Sequence, residues 1–391
     1  MERIILHCDL NNFFASVSLL FNPTLYDMPV AVCGDTENRH GIVLAKNEIA
    51  KKFNIKTAEP IFEAKRKCNE LVILPPIYEE YERYSKKAQE IYARYTDMIE
   101  PFGIDECWLD VTGSTLLFGS GEEIANKIRK DIKRELGITI SVGVSFNKVF
   151  AKLGSDLKKP DAVTVITKEN FKQKLWGLPI SDLLFVGKNT AQKLNSIGVK
   201  TIGDITLCDE QTLKRLLGKN GVDIKNNALG EDNSPVIPIS KDSKPKSVGK
   251  SITCGKDFTN NEEVWKAFLE FSEVISDTLR RHDLYASGVQ VHIRTSSLVV
   301  REFSFTYKSS TNSALTLAKR GFELFCKNYN FAEPLRSVGL RAIGLKSDAI
   351  AIQQDIFGES IQELENNKVE DSIYKVRQKF GNSSIKRGRI V

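Results

Sequence analysis

The chain has 391 residues, 27% of them charged, and a mean hydropathy of -0.25. That is length enough for two to four domains, and no run approaches the roughly 18 apolar residues of a membrane helix. Lys and Arg outnumber Asp and Glu by 56 to 50, unevenly: residues 1–165 carry net -2, 166–240 +2, 241–347 +6 and 348–391 zero. An acidic-to-neutral front with a basic back suggests a catalytic body joined to a segment that grips a polyanion.

In chain order, RIILHCD (3–9) reads as a buried strand and NNFFASVSLLF after it as a helix, which puts Asp9 at a strand end. The opening MERIILHCDL has no signal-peptide core, so the expected location is cytoplasmic. YERYSKKAQEIYARY (81–95) and GEEIANKIRKDIKREL (121–136) are amphipathic helices, the second with Ile124, Ile128, Ile132 and Leu136 on one stripe. CWLDVT (107–112) and ITISVGVSF (138–146) look like strands. The front half therefore reads as an α/β (α+β) unit, a mixed sheet with helices on one face. Residues 178–217 change to short helices broken by glycine, and the Pro, Ser and Lys of 234–250 read as a linker. A second α/β unit follows, with a helix near 262–281 and strands carrying alternating basic residues, and then a polar tail with a short helix around 369–380.

Seven cysteines without a CxxC and four histidines without ligand spacing speak against disulfides and zinc. Any metal should be a hard ion on carboxylates. Three acids stand where strands end or turn: Asp9, and the adjacent Asp105 and Glu106. Neighbours in an ideal strand point to opposite faces, so Asp105 and Glu106 can converge only through a turn or bulge. Carboxylates clustered in this way suit phosphoryl transfer through Mg²⁺, and strand-end acids that are merely solvated caps are the alternative.

At these residues the sequence resembles the Y-family DNA polymerases, the DinB/UmuC group of translesion enzymes. HCDLNNFFASV is similar to the first catalytic motif, FGIDECWLDVTGS to the second, and SVGVSFNKVFAKLGSDLKKPDAVTVI to the lysine-bearing segment that follows. The resemblance implies a right hand: palm in 1–10 and 75–165, fingers in 11–74, thumb in 166–235, linker in 236–247, little finger in 248–347 and a tail in 348–391. It implies a low-fidelity translesion polymerase that takes primer-template DNA and deoxynucleoside triphosphates and uses two Mg²⁺ ions on Asp9, Asp105, Glu106 and the Leu10 carbonyl. Lys159 resembles the lysine that meets the triphosphate, and Phe14 the steric gate against a ribose 2'-OH. Phe13 beside it reads as core and is the second candidate for the gate.

Where many DinB-type members carry Tyr and Arg near the triphosphate, AKNEIAKKF has Glu48 and Lys51, as the UmuC branch does. Lys51 can act as a point cation but cannot form a bidentate fork. LLFVGKNTAQKLNSIGVKTIGDI resembles helix-hairpin-helix motifs, with Gly187 and Gly198 marking the turns at a DNA phosphate. Arg294, Arg301, Lys308, Arg336 and Arg341 alternate with apolar residues as phosphate-tracking strands would. Gln353-Gln354-Asp355-Ile356-Phe357 is similar to sliding-clamp peptides, with Gln353, Ile356 and Phe357 as its contacts. Two other readings stay open: a UmuC-like subunit that needs a UmuD-like protein or a recombinase, and a non-catalytic DNA-binding scaffold.

Overall fold

Ile5–Leu10 is buried at all six positions, which a strand achieves only when both faces of its sheet are covered. The computed structural model describes residues 2–34, 41–238, 244–347, 359–381 and 384–385, in two compact units divided between Lys241 and Asp242. The first begins β1 (Ile5–Leu10), α1 (Phe13–Leu20), β2 (Val30–Cys33), β3 (Val43–Lys46), α2 (Glu48–Lys51), α3 (Ile61–Lys67), β4 (Val72–Leu74), α4 (Tyr78–Tyr92), β5 (Ile99–Pro101), β6 (Glu106–Asp110) and α5 (Thr115–Phe118). It continues α6 (Gly121–Leu136), β7 (Ile140–Ser145), α7 (Lys148–Leu157) and β8 (Val163–Val165), and ends in α8 (Phe171–Leu175), α9 (Lys188–Ser196), α10 (Ile202–Thr206), α11 (Glu210–Leu217) and α12 (Lys219–Leu229).

The central sheet runs β5-β6-β1-β7-β8 and a small one β3-β2-β4. Leu6, Cys8 and Leu10 face the buried stripe of α6 (Ile124, Ile128, Ile132, Leu136) and the inner side of α4. Residues of the other parity, Ile5 and His7, meet Ala151 and Ser155 of α7. Helices thus cover both faces, not one as the sequence reading had it; the unbroken apolar run of β1 already carried that information. α6 is closed by a Ser120–Glu123 capping box and by Gly137 in the left-handed region.

The second unit holds β9 (Val248–Phe258), α13 (Asn261–Arg281), β10 (Tyr285–Thr295), β11 (Val300–Thr311), α14 (Ala314–Asn328), β12 (Leu335–Lys346) and α15 (Glu359–Phe380). Its antiparallel sheet runs β11-β10-β12-β9, and Phe268, Phe271, Ile275 and Phe325 of α13 and α14 pack against Val291, Ile293, Val338 and Leu340 on one face.

α15 is longer than the expected short helix, and its second half is docked. Arg377 pairs with Glu273 and Asp277 of α13, and Arg280 with Glu370 and Asp371. The Glu370 carboxylate also accepts the amides of Ala314 (2.8 Å) and Leu315 (3.2 Å), and so caps the first turn of α14. These partners lie 55 to 104 residues away in sequence, beyond the reach of periodicity. Glu370→Ala leaves Arg280, which is almost wholly buried, with less countercharge and removes the acceptor of the first two α14 amides, leaving Ser313 as the only N-terminal cap among the described residues. The expected loss is roughly 2–4 kcal/mol, seen as faster amide hydrogen exchange in 369–380 and 314–318 with exchange in 2–238 unchanged.

Candidate active site

β1 and β6 pair antiparallel with Asp9 opposite Glu106, so the two carboxylates start from neighbouring strands on one face of the sheet. Asp105 is the last residue of the turn between β5 and β6, and its carbonyl accepts the Leu10 amide at 3.0 Å. The turn frees Asp105 from strand alternation, and all three acids, with Leu10, line one cleft of about 420 Å³.

α7 crosses this face with Lys152, Asp156 and, just past its end, Lys159 at helical spacing. Lys152 Nζ lies 2.8 Å from Glu106 Oε1, 3.4 Å from Asp9 Oδ2 and 3.3 Å from Asp156 Oδ2. Lys159 Nζ lies 2.7 Å from Asp9 Oδ2 and 2.9 Å from Asp156 Oδ1. Asn11 fixes the approach of Lys159: its side-chain oxygen accepts the Asp161 amide at 2.8 Å while its amide donates to Ser141. Buried His7 stands behind, 2.8 Å from Ser155 Oγ and 3.5 Å from Glu106 Oε2.

Charge is shared unequally. Burial pushes the Asp105 carboxyl up, the like charges of Asp9 and Glu106 add to that, and it reaches about 6. Burial also raises Asp9, against the pull of Lys159. Burial would raise Glu106 too, but its bonds to His7 and Lys152 outweigh that and hold it well below the usual carboxylate range.

Phe13 is 2% exposed, in the core. Phe14 is half-buried, stacked on Tyr81 at 4.1 Å with an interplanar angle of 9°, and lines the cleft. The small sheet brings Leu44 and Lys46 to the same cleft, α2 brings Lys51, and the turn after α2 brings Thr57. Lys51 Nζ is 2.7 Å from Glu48 Oε1, which also accepts from Asn12 Nδ2 at 2.8 Å. Asp9, Leu10, Phe13, Phe14, Lys51, Asp105, Glu106 and Lys159, expected from sequence, are thus brought together. Sequence reasoning missed His7, Asn11, Asn12, Lys46, Thr57, Lys152, Ser155 and Asp156; of these only Lys152 and Asp156 carried a signal, lying four and three residues apart on the helix that leads to Lys159.

The impB/mucB/samB family profile matches residues 8–156, and its C-terminal domain profile residues 245–356. A DNA polymerase IV of Acetivibrio thermocellus is 48% identical over 99% of this chain and 97% of its own length. DNA polymerase IV 1 of Bacillus subtilis is 35% identical over 99% and 93%. The chain belongs to the DinB-like Y-family DNA polymerases. A solved Y-family DNA polymerase chimera has the same fold, with a TM-score of 0.78 at 24% identity over 88% of this chain and all of its own, and with it the right-hand architecture of palm, fingers, thumb and little finger.

In this polymerase Gly187 caps the N-terminus of α9, and Gly198 follows its C-terminus at φ +88°. Both have room for a side chain, so close packing is not what calls for glycine there. In the second unit Arg341 is paired with Gln290, and Arg294 with Ser337, on the sheet face away from the helices. Arg301 is opposite core residue Ile293 and so lies on the other face of edge strand β11. Arg336 sits beside Asp257 at 3.9 Å. The four arginines thus do not share one face. Gln353, Ile356 and Phe357 lie outside the described residues.

Y-family polymerases are metal-dependent, and the donors here suit a hard divalent cation: three carboxylates and a backbone carbonyl, one carboxylate pushed up by burial and by the like charges beside it. Among the described residues no three His, Cys, Asp or Glu side chains stand together as they are so as to hold a metal ion; Lys152 and Lys159 reach in among the acids instead.

Folding lifts the Asp105 carboxyl from 3.8 to about 6, so between those values the folded protein binds a proton that the unfolded chain has released. Its contribution to stability therefore falls as pH rises through that window, and the cost is full above it. In chelator, Asp105→Asn should stabilise the protein at pH 7.5 by roughly 2–3 kcal/mol at most and have little effect near pH 4. Thermal melts of both proteins at the two pH values check this; equal melting at pH 7.5 would contradict it.

Proposed function

We propose that this DNA-directed DNA polymerase extends a primer 3'-OH by template-directed nucleotidyl transfer at the cleft of Asp9, Asp105 and Glu106, with low fidelity and on damaged templates. The observation that carries the reading is the convergence of the three carboxylates and Lys159 on a single cleft of nucleotide size that Phe14 also lines. Two Mg²⁺ ions held by Asp9, the Leu10 carbonyl, Asp105 and Glu106 would supply charge stabilisation to the attacking and leaving oxygens. Lys159, paired with Asp9 and Asp156 in this structure, would bring its ammonium to the triphosphate. The Phe14 ring, stacked on Tyr81, would lie against the sugar and exclude a 2'-OH.

The same reading takes the central sheet with α4, α6 and α7 as palm, the small sheet with α2 and α3 as fingers, α8 to α12 as thumb and the second unit to Lys346 as little finger. The α9 turns at Gly187 and Gly198 would meet DNA phosphate through backbone amides. Gln353 to Phe357 would dock on a sliding clamp, on the strength of its sequence. The reading as a UmuC-like subunit dependent on UmuD-like or recombinase partners has the Glu48 and Lys51 pair in its favour; primer extension by the purified chain alone would decide against it, and extension only with such partners would decide for it.

Asp9→Ala or Asp105→Ala should lower primer extension by about a thousandfold or more while affinity for primer-template DNA persists. Extension near the wild-type rate would overturn the assignment of the site. Phe14→Ala should raise incorporation of ribonucleotides relative to deoxyribonucleotides in single-nucleotide insertion. Unchanged sugar selectivity would move the gate to Phe13.

A further inference from the structure

Two lysines stand on the side of the cleft built by β2, β3 and α2, and their surroundings differ. Lys51 is bound to Glu48 one turn earlier in its own helix, and Glu48 is held in place by Asn12. Burial alone would raise the Glu48 carboxyl, but Lys51 and Asn12 outweigh it and keep the group below its ordinary value, so it stays charged. Lys51 therefore enters the cleft with its charge already answered.

Lys46, the last residue of β3, lines the same cleft. Its ammonium donates to the neutral Thr57 hydroxyl at 2.9 Å, and among the described residues it forms no ion pair. Glu59, the other acid whose charge acts on it, is itself bound to Lys67. Burial lowers the Lys46 pKa and the nearby Lys51 lowers it further, the mark of a cation short of countercharge. An ammonium has three donors and Thr57 takes one, which leaves two.

A cleft of about 420 Å³ has the size of a site for one small molecule and is too small for a duplex. An anion entering it next to three carboxylates needs cations on its far side as well as Lys159. We propose that Lys46, with Thr57 as its positioning residue, is the principal side chain by which the fingers hold the triphosphate of the incoming nucleotide. This rests on the polymerase reading and replaces Lys51 in the leading role that sequence comparison suggested. Lys51, tied to Glu48, serves chiefly to hold that carboxylate, which in turn fixes α2 to Asn12 before α1.

The test is single-nucleotide insertion by the full-length chain on primer-template DNA with Mg²⁺, together with equilibrium binding of inorganic tripolyphosphate, which needs no catalysis. Losing a charge-assisted hydrogen bond to phosphate should raise the nucleotide KM of Lys46→Gln roughly tenfold, with DNA affinity unchanged. Tripolyphosphate binding should weaken in parallel. Lys46→Arg should restore both to within about threefold, and Thr57→Val should raise KM less than Lys46→Gln does. Lys51→Gln should have a smaller effect than Lys46→Gln. Unchanged KM and tripolyphosphate affinity in Lys46→Gln, or a loss of DNA affinity in place of nucleotide affinity, would overturn the proposal while wild-type extension upholds the polymerase reading. If the wild-type chain extends nothing, that reading fails, and tripolyphosphate binding still decides whether Lys46 holds a polyphosphate.

Discussion

A methyl group on Gly143 would come within 1.9 Å of the Ala151 carbonyl oxygen and 2.5 Å of the Ser155 amide nitrogen. α7 can lie this low on the sheet only because β7 has no side chain at that point, and Gly154 gives room from the helix side, its own missing Cβ being 3.1 Å from the Gly143 Cα. A glycine inside a helix costs about 1 kcal/mol against alanine, and here the close approach makes use of it. At this depth Ser155 reaches His7 and Lys152 reaches Glu106. The outer side of α7 belongs to another core: Val149, Phe150 and Leu153 pack with Leu175, Leu194 and Ile202 of the helices that follow. One helix therefore sets the position of the lysines at the acid cluster and seats the α8 to α12 segment, so a displacement of either is felt by the other.

The electrostatics of the cluster follow from that placement. Lys152 has three carboxylates around it at 2.8, 3.3 and 3.4 Å, and Lys159 has two. Each ammonium is divided among acids, none of which it fully satisfies. Glu106, with His7 behind it, receives the larger share; Asp105, at the far side of the turn, receives the least and is pushed up. A protein built for stability alone would bury an apolar side chain at Asp105. Retaining an under-compensated acid there is the usual compromise of a site whose charge is completed by something that binds.

How much of this could be read from the sequence depends on the range of the interactions. Asp9 at a strand end, the α6 stripe and the core role of Phe13 were legible because periodicity and strand length are local properties. The need for a turn at Asp105 was legible as well, since no strand points adjacent residues to one face. Lys159 and Phe14 were identified through family resemblance; helical spacing alone would have assigned both phenylalanine rings to the core. Lys152 and His7 were not found, because what matters about them is a neighbour across the sheet: His7 lies in a strand that reads simply as buried, and its bond to Ser155 spans 148 residues. Lys46 is a similar case. In AKNEIAKKF it is one of several lysines, and only the fold shows that Lys51 is answered by its own helix and Lys46 is not.

The basic strands of the second unit show the same limit in another form. A sheet covered by α13 and α14 on one face has one open face, and an arginine's parity in its strand decides which it joins. Arg294 and Arg341 fall on the open face by register, whereas Arg301 falls on the helix side of an edge strand. The open face is also unusually bare: Gly249, Gly288 and Gly339 lie on it in register with their neighbours, and a Cβ on Gly339 would sit 2.8 Å from that of Ser251. Removing side chains lowers the sheet surface between the charged residues and leaves a shallow trough lined by Lys250, Ser251, Gln290, His292, Glu302 and Arg341. Lys250 and Arg341 bring positive charge to this trough, and Glu302, 3.3 Å from both Gln290 Nε2 and His292 Nδ1, offsets part of it. The net +6 of residues 241–347 is a property of the whole segment, but the glycines and the register decide where on the sheet its charge is accessible.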